Sequence, residues 1–183
     1  MAKRLHDTFA RLAERADQRR AFFVVLAGGL GWAGLYLMLA LGGEAPSRVL
    51  LPIDRGHYYF FEALMIGPWL VGLWLVGAEL SLRVGRWLGG DGSRGAVRAV
   101  LAPAQAVPLL LCLVLPETLA YLAFGFPGLG KVARVAGPVL LLLTFGLVGI
   151  GLAAALRISR PRAFGVAALV LIAQGVLSGP LVR

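Results

Sequence analysis

The sequence has few of the residues from which most catalytic and metal sites are built. Its 183 residues include no asparagine, one cysteine and two histidines, and only nine acidic residues accompany 18 basic ones. A single cysteine cannot form an intramolecular disulfide, and without asparagine there is no N-glycosylation sequon. His6 and His57 fall on opposite faces of the predicted membrane topology, and Cys112 lies in an apolar run, so these residues assemble no metal cluster. No serine has a histidine at a convincing depth on the same face, and we expect neither a cofactor nor an enzymatic activity.

Long apolar runs dominate the chain instead. Hydrophobic residues make up 59% of it and charged residues 15%, and the mean hydropathy is +0.83. A run of about 20 apolar residues matches a hydrocarbon layer roughly 30 Å thick, and its backbone must be helical to pair its own polar groups. The sequence therefore predicts an all-α polytopic membrane protein with five transmembrane helices, at residues 21–41, 58–82, 99–115, 135–156 and 163–182.

The basic residues are distributed unevenly between the two sides of these spans. Thirteen of the 18 fall in segments on the side of the N-terminus, and five, including Arg48 and Arg183, fall on the other side. Short cytoplasmic loops are enriched in arginine and lysine. The asymmetry predicts a cytoplasmic N-terminus and an outer C-terminus. The abundance of alanine, glycine, leucine and arginine is common in GC-rich bacteria, so we expect a bacterial inner (cytoplasmic) membrane.

Residues 1–20 are predicted to form a cytoplasmic amphipathic leader that precedes the transmembrane domain of residues 21–183. Leu5, Phe9, Leu12 and Ala16 form one apolar stripe at helical spacing. The stripe could be immersed in the membrane surface, or the leader could be solvated and only enforce orientation. The net charge of +9 favours contact with lipid headgroups over binding of nucleic acid. We expect the headgroup contacts at Arg19, Arg20, Arg86, Arg94 and Arg98.

Three glutamates within the predicted spans or at the end of one are candidates for a polar site, because a carboxylate in hydrocarbon is costly. Glu79 precedes Arg83 by four residues, a spacing that favours a structural ion pair. Glu62 lies one helical turn after Tyr58 and Tyr59, and Glu117 follows Pro116. The tyrosines could hydrogen-bond Glu62 in a structural role. Alternatively, Glu62 and Glu117 could form an ion or proton site if they face one cavity.

The third span carries Pro103, Pro108 and Pro116, so we expect it to be kinked, to end near Pro116 and to be the place of a cavity or a moving part. Before it, the stretch LGGDGSRG at residues 88–95 predicts a cytoplasmic turn. Gly89, Gly90 and Gly92 permit a sharp reversal there, and Ser93 can cap the next helix.

Two stretches match nucleotide-binding patterns by their letters alone. Residues 29–34, GLGWAG, match GxGxxG, but they lie within a span, where glycines favour close helix packing. Residues 125–131, GFPGLGK, match GxxxxGK without the following Ser or Thr, and no strand precedes them. We interpret the second stretch as a tight loop that joins the third and fourth spans.

The sequence resembles the bacterial Yip-domain family, which is related to the eukaryotic Ypt-interacting membrane proteins. The resemblance rests on YYFFEAL at 58–64, Pro68, RWL at 86–88, GGDGS at 89–93, AVL at 99–101 and VP at 107–108. It implies a multi-pass, non-enzymatic membrane protein with this topology. The eukaryotic relatives bind Rab-type GTPases, but this chain lacks their Asp-Leu-Tyr-Gly-Pro segment before the first span and their long cytosolic N-terminal region.

These features lead to two hypotheses about function. The first is a membrane protein that acts through helix packing and through lipid or protein contact, as a homo-oligomer or as an accessory subunit of a membrane assembly. The second is a small transporter or channel that uses Glu62 or Glu117 together with the kinked third span.

Overall fold

The computed structural model describes residues 2–46 and 52–178, and in these ranges the chain consists of helices and short connections. Five helical stretches are long and apolar enough to cross a membrane, which confirms the predicted all-α fold with five spans. The last four residues predicted for the fifth span, 179–182, lie outside the described residues, as do Arg48 and Arg183. The helices are α1 (Ala2–Arg15), α2 (Gln18–Leu41), α3 (Tyr58–Trp87), α4 (Arg94–Pro108), α5 (Leu115–Phe124), α6 (Phe126–Leu156) and α7 (Arg160–Ser178).

The spanning helices form a bundle in which neighbours in sequence pack side by side. Helix α2 packs mainly on α3 and α4, and α6 packs on α4, α5 and α7. One end of the bundle holds α1, the turn at residues 88–93 and the turn at residues 157–159, and we call it the basic end because most arginines lie there. The opposite end holds residues 42–46, which follow α2, residues 52–57, which precede α3, and Gly125.

Helices α2 and α3 pack closely against each other at a glycine. A Cβ atom added to Gly29 would lie 2.8 Å from the Cα atom of Gly67, so the two backbones touch at this point. Only glycine at position 29 permits this approach. The close helix packing expected of the GLGWAG stretch is therefore confirmed at Gly29, whereas a Cβ added to Gly34 would meet nothing within 4 Å.

The third spanning helix is longer than the sequence predicted. It continues past Pro116 to Phe124, because a π-helical segment, Leu109–Val114, connects α4 to α5 without a break. In this wider turn the Leu115 amide donates to the Leu110 carbonyl. A proline ring collides with the carbonyl one α-turn earlier, and widening the turn relieves that collision. The predicted end near Pro116 was therefore wrong, whereas the predicted irregularity is present as the π-helical segment.

The connection between α5 and α6 also differs from the prediction. The expected loop over residues 125–131 does not form, because α6 begins at Phe126 and only Gly125, with φ of +65°, separates the two helices. A positive φ is readily adopted by glycine, so one residue can reverse the chain. Pro127 lies in the first turn of α6, where its missing N–H group costs nothing.

Helix α1 packs on the bundle through the apolar stripe seen in the sequence. Phe9 is only 6% exposed; its ring lies against Gly151 of α6 and belongs to the same buried cluster as Val100 of α4. Leu12 and Ala13 pack against the same core. The sequence suggested a stripe immersed in the membrane or a solvated leader, and both are wrong for Phe9, which is covered by protein.

Candidate functional site

The two glutamates predicted as a polar site are both buried. Glu62 is 2% exposed on α3 and Glu117 is 3% exposed on α5. Tyr58 and Tyr59, one turn before Glu62, are each 1% exposed, and Tyr36 of α2 is 3% exposed. Each of these five side chains has an interaction partner in the structure. The burial of two carboxylates inside apolar helices requires such partners, because an isolated charge there would be very costly.

Aromatic packing places both glutamates at the end opposite the basic end. The Tyr59 ring stacks on Tyr36 at 5.8 Å and meets Phe126 edge to face at 6.2 Å. Tyr121, one turn after Glu117, packs against the same cluster. Residues of α2, α3, α5 and α6 therefore surround this region. Sequence reasoning missed Tyr36, although a tyrosine within an apolar run was a signal for a buried polar contact.

A cavity of about 350 Å³ lies in the middle of the bundle, between α2, α3, α4, α6 and α7. Most of its wall is aliphatic, and none of the lining residues that the structure describes is charged. Leu141 of α6 is 59% exposed and Gly175 of α7 is also exposed, so the cavity opens on the outer surface of the bundle between these helices. It lies beside the proline-rich third span, where the sequence suggested a cavity.

Two glutamines connect three helices at this cavity. Gln105 of α4 donates from Nε2 to Oε1 of Gln174 on α7 at 2.9 Å, and Gln174 donates from its own Nε2 to the Leu73 carbonyl of α3, also at 2.9 Å. Gly77 leaves room for the Gln174 amide, since a Cβ atom there would collide with it. Hydrogen bonds between helices in apolar surroundings contribute about 0.6–1.7 kcal/mol each.

Two further polar groups at the cavity have no hydrogen-bond partner among the described residues. These are the Thr144 hydroxyl on α6 and the Trp32 indole N–H on α2. Thr144 is 8% exposed. A buried polar group without a partner is uncommon and calls for a physical explanation. Sequence reasoning missed both Thr144 and Gln174, although each interrupts an apolar run, which was the available signal.

The ion pair predicted at Glu79 extends to a second arginine. The Nε atom of Arg83 lies 3.4 Å from Glu79 Oε1, and the Nε atom of Arg94 lies 3.2 Å from Glu79 Oε2. The second contact joins α3 to the start of α4. All three side chains are partly or largely exposed, so the pairs contribute little to stability beyond fixing the relative position of the helix ends.

The turn predicted at residues 88–95 covers residues 88–93, because α4 begins at Arg94, and it is fixed against the end of α6. Gly89 has φ of +87°, and Ser93 caps α4 by accepting from the Ala96 amide at 3.1 Å. The Asp91 amide donates to the Leu156 carbonyl at 3.2 Å. A Cβ atom on Gly90 would lie 2.8 Å from that same carbonyl oxygen, and one on Gly92 would collide with the backbone of residues 155–156. The glycines therefore permit close packing between two turns as well as reversal of the chain.

The five arginines predicted to contact headgroups differ in their surroundings. Arg19, Arg20 and Arg86 are exposed at the basic end. Arg94 pairs with Glu79, and Arg98 is half-buried and donates to Gln18 Oε1 at 3.0 Å. The first three can therefore meet a surface, although the Nε atom of Arg20 also lies 3.9 Å from Asp17 Oδ2, while the other two bridge helices.

No group of three or more histidine, cysteine, aspartate or glutamate residues in the ranges 2–46 and 52–178 is placed to hold a metal ion.

Comparison with known families gives a match to the model of the Yip1 domain over residues 5–179. No curated protein and no solved structure matches the chain. The family match covers nearly the whole sequence and agrees with the resemblance seen in residues 58–108. The chain therefore belongs to the Yip1 domain family.

Proposed function

We propose that this multi-pass membrane protein is non-enzymatic and acts by contact with lipids and with other membrane proteins, as a homo-oligomer or as an accessory subunit. The observation that carries the proposal is the large apolar surface that the helices expose on the outside of the bundle. The most hydrophobic windows of α2, α3 and α7 are only 33%, 28% and 28% buried within the protein. Surfaces of this kind must meet lipid or the helices of a partner.

We place the chain in a bacterial inner membrane, where the charge distribution supports a cytoplasmic N-terminus. Arg19, Arg20 and Arg86 are exposed at the basic end, where they would lie beside anionic headgroups. The membrane-spanning helices lie between this end and the less basic opposite end.

Purification in a mild detergent, followed by native mass spectrometry, tests the contact function. We expect particles that are larger than one chain or that retain lipid or a second membrane protein. A strictly monomeric particle without lipid or partner would contradict the proposal. Extraction in two detergents of different headgroup charge controls for detergent-induced dissociation.

The burial of Glu62 and Glu117 favours a second candidate, a small transporter or channel. The test is proton or ion flux in proteoliposomes. If this function is present, Glu62→Gln and Glu117→Gln abolish the flux, while Glu44→Gln, in the connection after α2, leaves it unchanged. The absence of flux in the parent protein, or equal flux in all variants, would exclude a role for these carboxylates.

A further inference from the structure

The corner between α1 and α2 is fixed against the start of α4. Ala16, directly after α1, has φ of +46°, a conformation that is uncommon for a residue other than glycine. A Cβ atom added to Gly95 of α4 would lie 3.2 Å from the Cβ atom of Ala16, so the corner rests on α4 at this point. The hydrogen bond from Arg98 to Gln18 joins α4 to α2 beside it. The first turns of α2 therefore have a defined position between α1 and α4.

A groove of about 450 Å³ lies beside this corner, between α1, α2 and α4, and we call it the corner groove. On α2 its wall follows one face, at Ala21, Val24 and Ala27. These three residues cover about 9 Å along the helix axis. On α4 the wall consists of Ala99 and Pro103. The groove therefore runs inward from the basic end, along small apolar side chains of two spanning helices.

The corner groove is open to the surroundings of the bundle. Phe23, which also lines it, is 62% exposed, and Ala27 is exposed as well. Only 33% of the most hydrophobic window of α2 is buried within the protein. In a bilayer the material that meets such a surface is lipid hydrocarbon. An acyl chain can therefore enter the groove from the side.

The end of the groove at the corner is lined by two arginines and one aspartate, Arg15, Arg20 and Asp17. Arg15 is exposed and forms no ion pair with a described residue, and the side chain of Arg20 is 78% accessible. Asp17 Oδ1 accepts from the Arg20 amide at 3.0 Å, and its Oδ2 lies 3.9 Å from Arg20 Nε. The aspartate thus caps α2, and the two guanidinium groups leave this end of the groove positively charged.

The two parts of the groove together define its ligand. Guanidinium groups form charge-assisted hydrogen bonds with phosphate. Because both arginines are exposed, each can turn toward an anion without breaking a buried contact, and unscreened attraction extends over about 8–10 Å. A soluble anion would gain nothing from the apolar wall, and an uncharged lipid would gain nothing from the arginines. An anionic phospholipid uses both.

We infer that the corner groove binds one anionic phospholipid, whose headgroup phosphate meets Arg15 and Arg20 and whose acyl chain lies along Ala21, Val24 and Ala27. Arg15 is thereby a headgroup ligand that its position in the sequence did not indicate. The inference deepens the proposed contact function by naming a lipid class and a site, and it rests on that function in that α2 faces lipid.

Lipid titration of the protein in an alkyl maltoside, an uncharged detergent, tests the inference. The probes are phosphatidylglycerol and phosphatidylcholine with identical acyl chains, and native mass spectrometry gives the dissociation constant of each. We expect one phosphatidylglycerol to bind saturably per chain, roughly five- to tenfold more tightly than phosphatidylcholine. Inorganic phosphate at the same concentration should not displace it, because phosphate has no apolar part to occupy the groove.

Variants with the same change of charge localise the headgroup. Arg15→Gln and Arg20→Gln should each weaken the binding of phosphatidylglycerol roughly fivefold and leave that of phosphatidylcholine nearly unchanged. Arg160→Gln removes an equal charge from an exposed residue at the start of α7, away from the groove, and should change neither.

A second pair of variants localises the acyl chain. Ala27→Leu fills the groove and should weaken the binding of both lipids at least roughly tenfold. Gly34→Leu adds a side chain to an exposed position of the same helix, outside the groove and with nothing within 4 Å, and should not. Both positions are exposed, so both variants are expected to fold, and equal Tm values verify this.

Equal dissociation constants for the two lipids, equal effects of Arg15→Gln and Arg160→Gln, or displacement by inorganic phosphate would each overturn the inference. So would loss of a co-purified protein from the Ala27 variant with unchanged lipid binding, because the groove would then hold a partner helix. Oligomeric state and retained molecules are measured on the same preparations. An intact assembly that retains lipids without selectivity would therefore refute the site and leave the contact function standing.

Discussion

Gly29→Ala should weaken the contact between α2 and α3 by an amount that the structure defines. The added methyl carbon would lie 2.8 Å from the Cα atom of Gly67. Carbon atoms pack best at about 3.5–4.0 Å, so the helices must separate by about 1 Å. The obstacle is backbone, which cannot rotate away as a side chain can. Overpacking of this kind costs about 1–3 kcal/mol.

Gly34→Ala is the matched control for this substitution. It lies on the same helix, and its added methyl group meets nothing within 4 Å. Both substitutions gain helix propensity, up to about 1 kcal/mol, so the difference between the two variants isolates the helix contact. We expect the Gly29 variant to be about 2 kcal/mol less stable than the Gly34 variant, which corresponds to a Tm lower by about 4–8 °C.

Thermal unfolding followed by circular dichroism in one detergent, at one scan rate, measures this difference. Equal midpoints for the two variants would refute the close approach of the backbones at residue 29. A lower unfolding midpoint for the Gly34 variant would show that the tight contact lies on the face of α2 that carries Gly34, and not on the face toward α3.

Three further predictions concern the basic end and the topology. Phe9→Ala removes a buried ring and should lower the stability of the folded protein by about 3–5 kcal/mol. Release of α1 should then accelerate hydrogen exchange in residues 5–13 at least roughly tenfold. Phe23→Ala, at a ring that is 62% exposed, should leave this exchange unchanged. Ser93→Ala should cost about 1 kcal/mol through loss of the α4 cap, visible as a lower Tm, and an unchanged Tm would contradict the capping role. Arg94→Cys and Lys131→Cys, after replacement of the native cysteine, should react with an impermeant thiol reagent from opposite sides of the membrane, and labelling from one side would contradict the five-span topology.

The number of spans could be predicted from the sequence because hydrocarbon thickness sets the length of an apolar helix. The end of the third span and the start of the fourth could not, because they depend on how the chain accommodates Pro116 and reverses at Gly125. Pro116 is accommodated within a continuous helix by a widened turn, and Gly125 replaces a whole loop. Hydropathy predicts neither the widened turn nor the one-residue connection, because it is averaged over many residues and both features depend on single residues.

The candidate sites were predictable to a different extent. Glu62 and Glu117 were identified because a carboxylate in an apolar run is conspicuous, and the structure buries both. Thr144 and Gln174 were missed because a hydroxyl or an amide in a span usually has an ordinary partner. The missing back-bond of Thr144 becomes visible only when the neighbouring carbonyls and the cavity wall are known.

The wide turn at residues 109–114 also determines which side of α5 faces the protein. It takes in about one residue more than an α-helical path of the same length, which rotates everything beyond it by about 100° about the helix axis. In the resulting phase Glu117 points inward, and Leu119 and Leu122 are 57% and 66% exposed. Removing a single residue from the turn at residues 109–114 would rotate α5 back and turn the Glu117 carboxylate toward the lipid. The number of residues between the two prolines therefore determines whether Glu117 faces the protein or the lipid, although the sequence of α5 itself is unchanged.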